Sequence, residues 1–223
     1  MNRHELLQKA FECSHCDNAR LPFVRDLTGR SYRFPPTIGA VGAAPLLFVG
    51  INPRISESNR QLHESISSNS EAFVELSGNR FRGRRYIAEA GLEGHYRMHV
   101  TVAAELFPGR EFEEVAAVTE LHLCASETSV GIPRSAMRCL DRFFQSVLDQ
   151  VQPSVIFAVG QHVLASLRGA TTSENRQPTD SSKTAAWTVV SLPHPNAFGP
   201  RNELIARAIS EARTHLNRRL GRT

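Results

Sequence analysis

No run of residues in this chain is long and apolar enough to span a bilayer. Behind the charged start Met1-Asn2-Arg3-His4-Glu5 there is no long apolar stretch either, so no secretory leader is read. No internal repeat and no convincing linker divides the sequence. Its 223 residues are therefore expected to form one domain, 1–223, large enough to bury a sizeable core. Charge of one sign does not dominate: the net charge is +4 and the pI about 9.2, a modest bias that favours a polyanionic partner without requiring one. On this reading neither a membrane-spanning helix nor a secreted or repeat protein is expected. The expectation is a monomeric cytosolic chain, nucleoid-associated if the source is bacterial.

Short apolar runs that end in turn residues stand out. Residues 46–49, 115–123, 155–159 and 188–192 read as buried strands, and helical periodicity lies between and after them. Over 134–151, Leu140, Phe143, Phe144, Val147, Leu148 and Val151 form one stripe, with Pro153 just past its end. A helix over 162–168 and another over 202–220 follow from the same pattern. Alternating strands and helices predict an α/β fold. The expected architecture is a three-layer sandwich, with a central, mainly parallel four-stranded sheet flanked by helices. The polar segments 54–70 and 171–183 read as mobile loops.

Two of these strands end in marked turns. Gly50-Ile51-Asn52-Pro53 follows the first, and His194-Pro195-Asn196 follows the last. Ligands of open α/β sheets bind outside the carboxyl ends of the strands, so Asn52 and His194 are expected to face one cleft. An Asn-Pro turn and a histidine packed at a strand end are the plainer readings of the same residues.

Cysteine is scarce. Its four copies, Cys13, Cys16, Cys124 and Cys139, fall into two pairs. A cytosolic chain does not keep such pairs as disulfides, and four thiolates suit a closed zinc site or an iron–sulfur cluster equally well. Arginine clusters occur twice. Arg213, Arg218, Arg219 and Arg222 read as a solvated helix face and tail. Arg80, Arg82, Arg84 and Arg85 enclose Phe81 and stand beside Tyr86, a mixture suited to phosphate contact and base stacking.

Taken in order, Cys13–Cys16, Gly50–Pro53, Leu121-His122-Leu123-Cys124, Cys139 and His194-Pro195-Asn196 resemble the uracil-DNA glycosylase superfamily, and in layout are most similar to its iron–sulfur branch. The resemblance spans nearly the whole chain. It implies a monofunctional DNA glycosylase of base excision repair, acting on uracil or a related deaminated base in DNA. It also implies a [4Fe–4S] cluster on Cys13, Cys16, Cys124 and Cys139, with structural zinc as the alternative. Asn52 would position the attacking water, and His194 would stabilise the departing base. Gly50, Ile51, Pro53, Glu120 and Asn196 would line the base site. Phe81 and Tyr86 would supply a stacking platform, and Phe198 with Arg201 a wedge. Two residues depart from the branch. Asn52 stands where the iron–sulfur enzymes usually carry another residue, and is more similar to the mismatch-specific and single-strand-selective branches. Glu120 stands where an asparagine often reads the uracil edge. An ionised carboxylate cannot donate to a carbonyl oxygen. That departure keeps a second reading open, a non-catalytic protein that binds damaged DNA or abasic sites on the same fold.

Overall fold

The computed structural model describes residues 1–17, 23–40, 42–51, 55, 60–78, 93–127, 139–172, 187–195 and 199–219. Its centre is a five-stranded sheet in the order β1-β3-β2-β4-β5. The strands are β1 (Ile38–Gly39), β2 (Leu46–Gly50), β3 (Ala116–Glu120), β4 (Val155–Val159) and β5 (Thr188–Leu192). The last four are parallel, and β1 is a short antiparallel strand along the outer side of β3. The sheet thus has one strand more than expected from the sequence. A two-residue strand carries no period to read, and this one is held by context. Gly39 lies so close to β3 that a Cβ there would sit 2.7 Å from the Ala116 carbonyl oxygen, and the Thr119 hydroxyl donates to the Pro36 carbonyl at 2.6 Å.

Every residue of β2, β3 and β4 is buried, as a parallel sheet covered by helices requires. Phe48 of β2 stacks on Phe157 of β4 at 4.9 Å between ring centroids. The ring of His99, on helix α4 (Glu93–Leu106), meets Phe48 edge-on at 4.8 Å. Helix α1 (Arg3–Glu12) opens on a capping box formed by Asn2 and Glu5, and buries Leu6, Leu7 and Ala10. Helix α5 (Phe112–Val115) leads directly into β3, so the strand expected over 115–123 begins one residue later and ends at Glu120. Helix α6 opens with a π-helical turn over Leu140–Phe144 and continues through Gln145–Val151. It ends on Gln152 in the left-handed conformation, just before Pro153, where the sequence placed its stop. Helix α7 (Gln161–Thr172) connects β4 towards β5, and α8 (Arg201–Arg219) packs on β5 and against α4.

The segment 54–70 is not a loop throughout. Residues Arg60–Ser68 form helix α2, and Ser70–Gly78 form α3. Ile66 and Phe73 are fully buried, and the Ser67 hydroxyl accepts the Arg33 backbone N–H at 2.8 Å. A narrow buried face within a polar sequence carries these helices, and their composition conceals it. Of the segment 171–183, residues 171–172 complete α7 and the rest lies outside the described residues.

Candidate active site

The registers of the parallel strands set their carboxyl ends side by side. Gly50 of β2 pairs with Glu120 of β3, Val49 with Ala158 of β4, and Val159 with Leu192 of β5. The β2–β3 pairing continues past the strands, where Leu121 N–H donates to Gly50 O and His122 N–H to Ile51 O, both at 3.0 Å. Only β4 lies between β2 and β5, which puts their ends about 10 Å apart. The turn that begins at Gly50-Ile51 and the one that carries His194 therefore open on the same edge of the sheet.

His194 is half-buried and rests on Gly160, the residue that joins β4 to α7. A Cβ at Gly160 would lie 3.6 Å from His194 Cβ, and its φ of +93° belongs to the region that favours glycine. Gly160 N–H also donates to Leu192 O at 2.8 Å, which fixes the start of the histidine turn. Burial, and then the charge of Arg201, lower the His194 pKa below its usual value, so the imidazole is neutral at neutral pH. Arg201 opens α8. Among the described residues its buried Nε has no hydrogen-bond partner.

Glu120 ends β3 with its carboxyl group lying over Gly50, in the space that a side chain at residue 50 would need. The residue is 9 % exposed, and among the described residues Oε2 has no hydrogen-bond partner. Burial pushes this carboxyl up to about 8. Tyr96 of α4 is buried nearby, and both burial and the Glu120 charge raise its phenol. The sequence-level objection to Glu120 assumed an ionised group, but burial shifts this one towards its protonated form, which has an O–H to donate.

Of the residues expected at the site, the structure brings Gly50, Ile51 and Glu120 together, and His194 with Arg201. Asn52, Pro53, Phe81, Tyr86, Asn196 and Phe198 lie outside the described residues. Sequence reasoning missed Gly160 and Tyr96. A glycine between a buried strand and a helix is a readable signal for the first, whereas nothing in the sequence distinguishes Tyr96. The model of the uracil DNA glycosylase superfamily matches residues 36–216, most of the chain and both marked turns. The chain belongs to the uracil DNA glycosylase superfamily. Members of this superfamily are glycosylases, hydrolases of the bond between base and sugar. The mainly parallel sheet flanked by helices is consistent with their fold. No curated protein matches the chain.

In this glycosylase-family chain, Cys13 and Cys16 precede the matched region, and Cys124 and Cys139 fall inside it. The fold nevertheless draws the thiols into one neighbourhood. Hydrogen bonding with the Cys124 thiol, together with burial and the nearby Cys13, raises the Cys16 thiol, which a contact with Cys139 partly offsets. Hydrogen bonding with Cys16 and burial likewise raise Cys139, and His122 acts in the opposite direction. An Arg142 guanidinium N–H reaches Cys13 Sγ at 3.7 Å. Among the described residues no group of three or more His, Cys, Asp or Glu side chains is spaced to hold a metal ion. The set is thus four soft sulfur donors in proximity, right in kind for a metal cluster but not gathered about one point.

The same region holds an ion pair whose guanidinium is buried and whose carboxylate is partly exposed. Arg33 Nη2 donates to both carboxylate oxygens of Asp17, at 3.0 and 2.8 Å. Asp17 also accepts Ser31 N–H at 2.7 Å, and the Ser31 hydroxyl donates to the Cys16 carbonyl at 2.6 Å. Arg33 forms an antiparallel bridge with Cys124, and Phe34 N–H donates to Leu123 O at 2.7 Å. Backbone pairing and the ion pair together fasten the Cys13–Cys16 segment beside the chain that leaves β3.

Proposed function

We propose that this chain is a monofunctional DNA glycosylase that hydrolyses the N-glycosidic bond of uracil, or of a related deaminated base, in DNA. The observation that carries the reading is the alignment of the Gly50-Ile51 turn, Glu120 and His194 along one sheet edge in a member of this superfamily. As the base–sugar bond breaks, negative charge grows on the base and the sugar becomes cation-like. A neutral imidazole donor fixed beside the base lowers the barrier by stabilising that anion, an effect of about 2.7–4 kcal/mol for a well-placed donor. Asn52 follows Ile51 directly and has no basic group. Its role is to hold a water in line with the sugar carbon, which is a matter of position. Water adds to that carbon, its proton leaves to solvent, and the base departs.

The base must leave its stack to reach such an edge. Phe81 and Tyr86 are proposed as the aromatic platform, and Phe198 with Arg201 as the wedge that fills the gap. Gly50, Ile51, Pro53, Glu120 and Asn196 complete the base site. Cys13, Cys16, Cys124 and Cys139 are the residues that would hold a [4Fe–4S] cluster, with structural zinc as the alternative. The bound group would supply a covalent staple between the N-terminal segment and the chain around β3 and α6. Support comes from the donor chemistry and from the ion pair that fastens the segment.

The test is base release from oligonucleotides carrying uracil, hypoxanthine, xanthine or an undamaged base, read as strand scission after alkali. Release from one or more of the deaminated bases is expected. Binding to the same oligonucleotides without release of any base would instead favour a non-catalytic damage-binding protein.

A further inference from the structure

Glu120 is a carboxyl group in an unusual place. It is buried, lies over Gly50 at the head of the first turn, and leaves Oε2 without a hydrogen-bond partner among the described residues. A buried oxygen of this kind costs free energy unless something completes it. No described cation accounts for its state, because burial alone raises it. Around it, Tyr96 of α4 is a titratable neighbour, and Gly50 and Ile51 at the end of β2 carry no charge.

We propose that Glu120 holds the extruded base as a neutral carboxylic acid, donating its O–H to a ring carbonyl and accepting the adjacent ring N–H. The ligand class is a base with a lactam edge, a carbonyl beside a ring N–H, as deamination creates. One carboxylic acid supplies the same donor–acceptor pair as a carboxamide. Once ionised it offers two acceptors and repels the carbonyl, so the site loses its ligand as pH rises. A neutral acid can also pair with an amino-bearing edge by exchanging its two oxygens, so Glu120 fixes the lactam without by itself refusing cytosine. The inference rests on the glycosylase reading for the identity of the ligand, but not for the chemistry of excision.

The experiment is binding rather than turnover. The probe is a fluorescent oligonucleotide with one 2′-fluoro-2′-deoxyuridine, in which the fluorine suppresses bond cleavage, compared with the same strand carrying a tetrahydrofuran abasic analogue. Anisotropy titrations run from pH 6.5 to 9.0 at fixed ionic strength. The native chain is expected to prefer the uracil strand at least tenfold at pH 6.5, and to lose most of that preference by pH 9.0. The Glu120→Gln variant, neutral at every pH, is expected to keep its preference. The N–H of uracil itself ionises in the same direction, and the variant measures that part. A native preference that does not vary with pH, an equal fall in the variant, or no preference at all would each overturn the proposal. A second readout needs no variant. The infrared carbonyl band of a protonated carboxyl at pH 7 should shift when the uracil strand binds, and not with the abasic strand. An unchanged band would also overturn it. If preference and pH dependence appear as expected but no base is ever released, the glycosylase reading fails while this assignment stands.

Discussion

Replacing Asp17 by alanine would strand a buried cation. Arg33 is 1 % exposed, and a guanidinium cannot shed its proton. Both Nη2 bonds, at 2.8 and 3.0 Å, go to Asp17, and among the described residues Nε and Nη1 have no partner already. Breaking a buried pair by removing one member costs about 3–5 kcal/mol, most of it the penalty of the charge left behind. The Asp17 side chain keeps 21 % exposure, so water can enter the vacated space, and the lower end, about 3 kcal/mol, is expected. At a urea m-value of about 2–3 kcal/mol/M, this lowers the unfolding midpoint by about 1–1.5 M. The double variant Asp17→Ala/Arg33→Met removes the stranded charge and should recover most of the loss. Equilibrium urea unfolding of the three proteins measures both numbers. A single variant that loses under 1 kcal/mol, or a double variant no better than the single, would refute this account of how the cysteine-bearing segment is fastened.

Other expectations follow from the same geometry. Gly160→Val forces a branched side chain into a left-handed backbone position against His194, and should slow excision about 10–100-fold while the far-ultraviolet dichroism stays native. If the proposed cluster is bound, Cys13→Ala should lower the melting temperature and the metal content while the excision rate per folded molecule stays within about threefold, as melting curves, metal analysis and active-site titration will report. The Glu120 carboxyl moves from 4.5 in the unfolded chain to about 8 in the fold, so between those pH values the native state keeps a proton that the unfolded chain has lost. Stability therefore falls as pH rises through that window, by up to about 5 kcal/mol. Glu120→Gln should flatten that slope in urea unfolding at pH 6 and pH 9.

The four parallel strands were legible because each has an apolar core, as in Leu46-Leu47-Phe48-Val49-Gly50; β2, β3 and β4 are buried throughout, and β5 buries Val190 and Leu192. That β2 and β5, the strands leading into the two marked turns, end on one edge of the sheet followed from the same punctuation, since parallel strands must end on the same side. Other features were out of reach. Strand β1 exists because Gly39 can approach Ala116, a contact distant in sequence. Helices α2 and α4 bury single faces of polar-rich segments, where residues such as Ser67 and His99 sit inside and hide the periodicity. The raised pKa of Glu120 comes from its burial over Gly50, whereas the letter in the sequence suggests an ordinary ionised carboxylate. The pairing of Asp17 with Arg33 leaves no local pattern at all.

The most direct test of the central claim, that the first turn and the histidine turn serve one reaction, is single-turnover release of uracil by Asn52→Ala and His194→Ala beside the native chain. Losses of about 10²–10³-fold in each variant, with oligonucleotide affinity changed by no more than a few fold, are predicted. Uracil released by both variants at the native rate would contradict it.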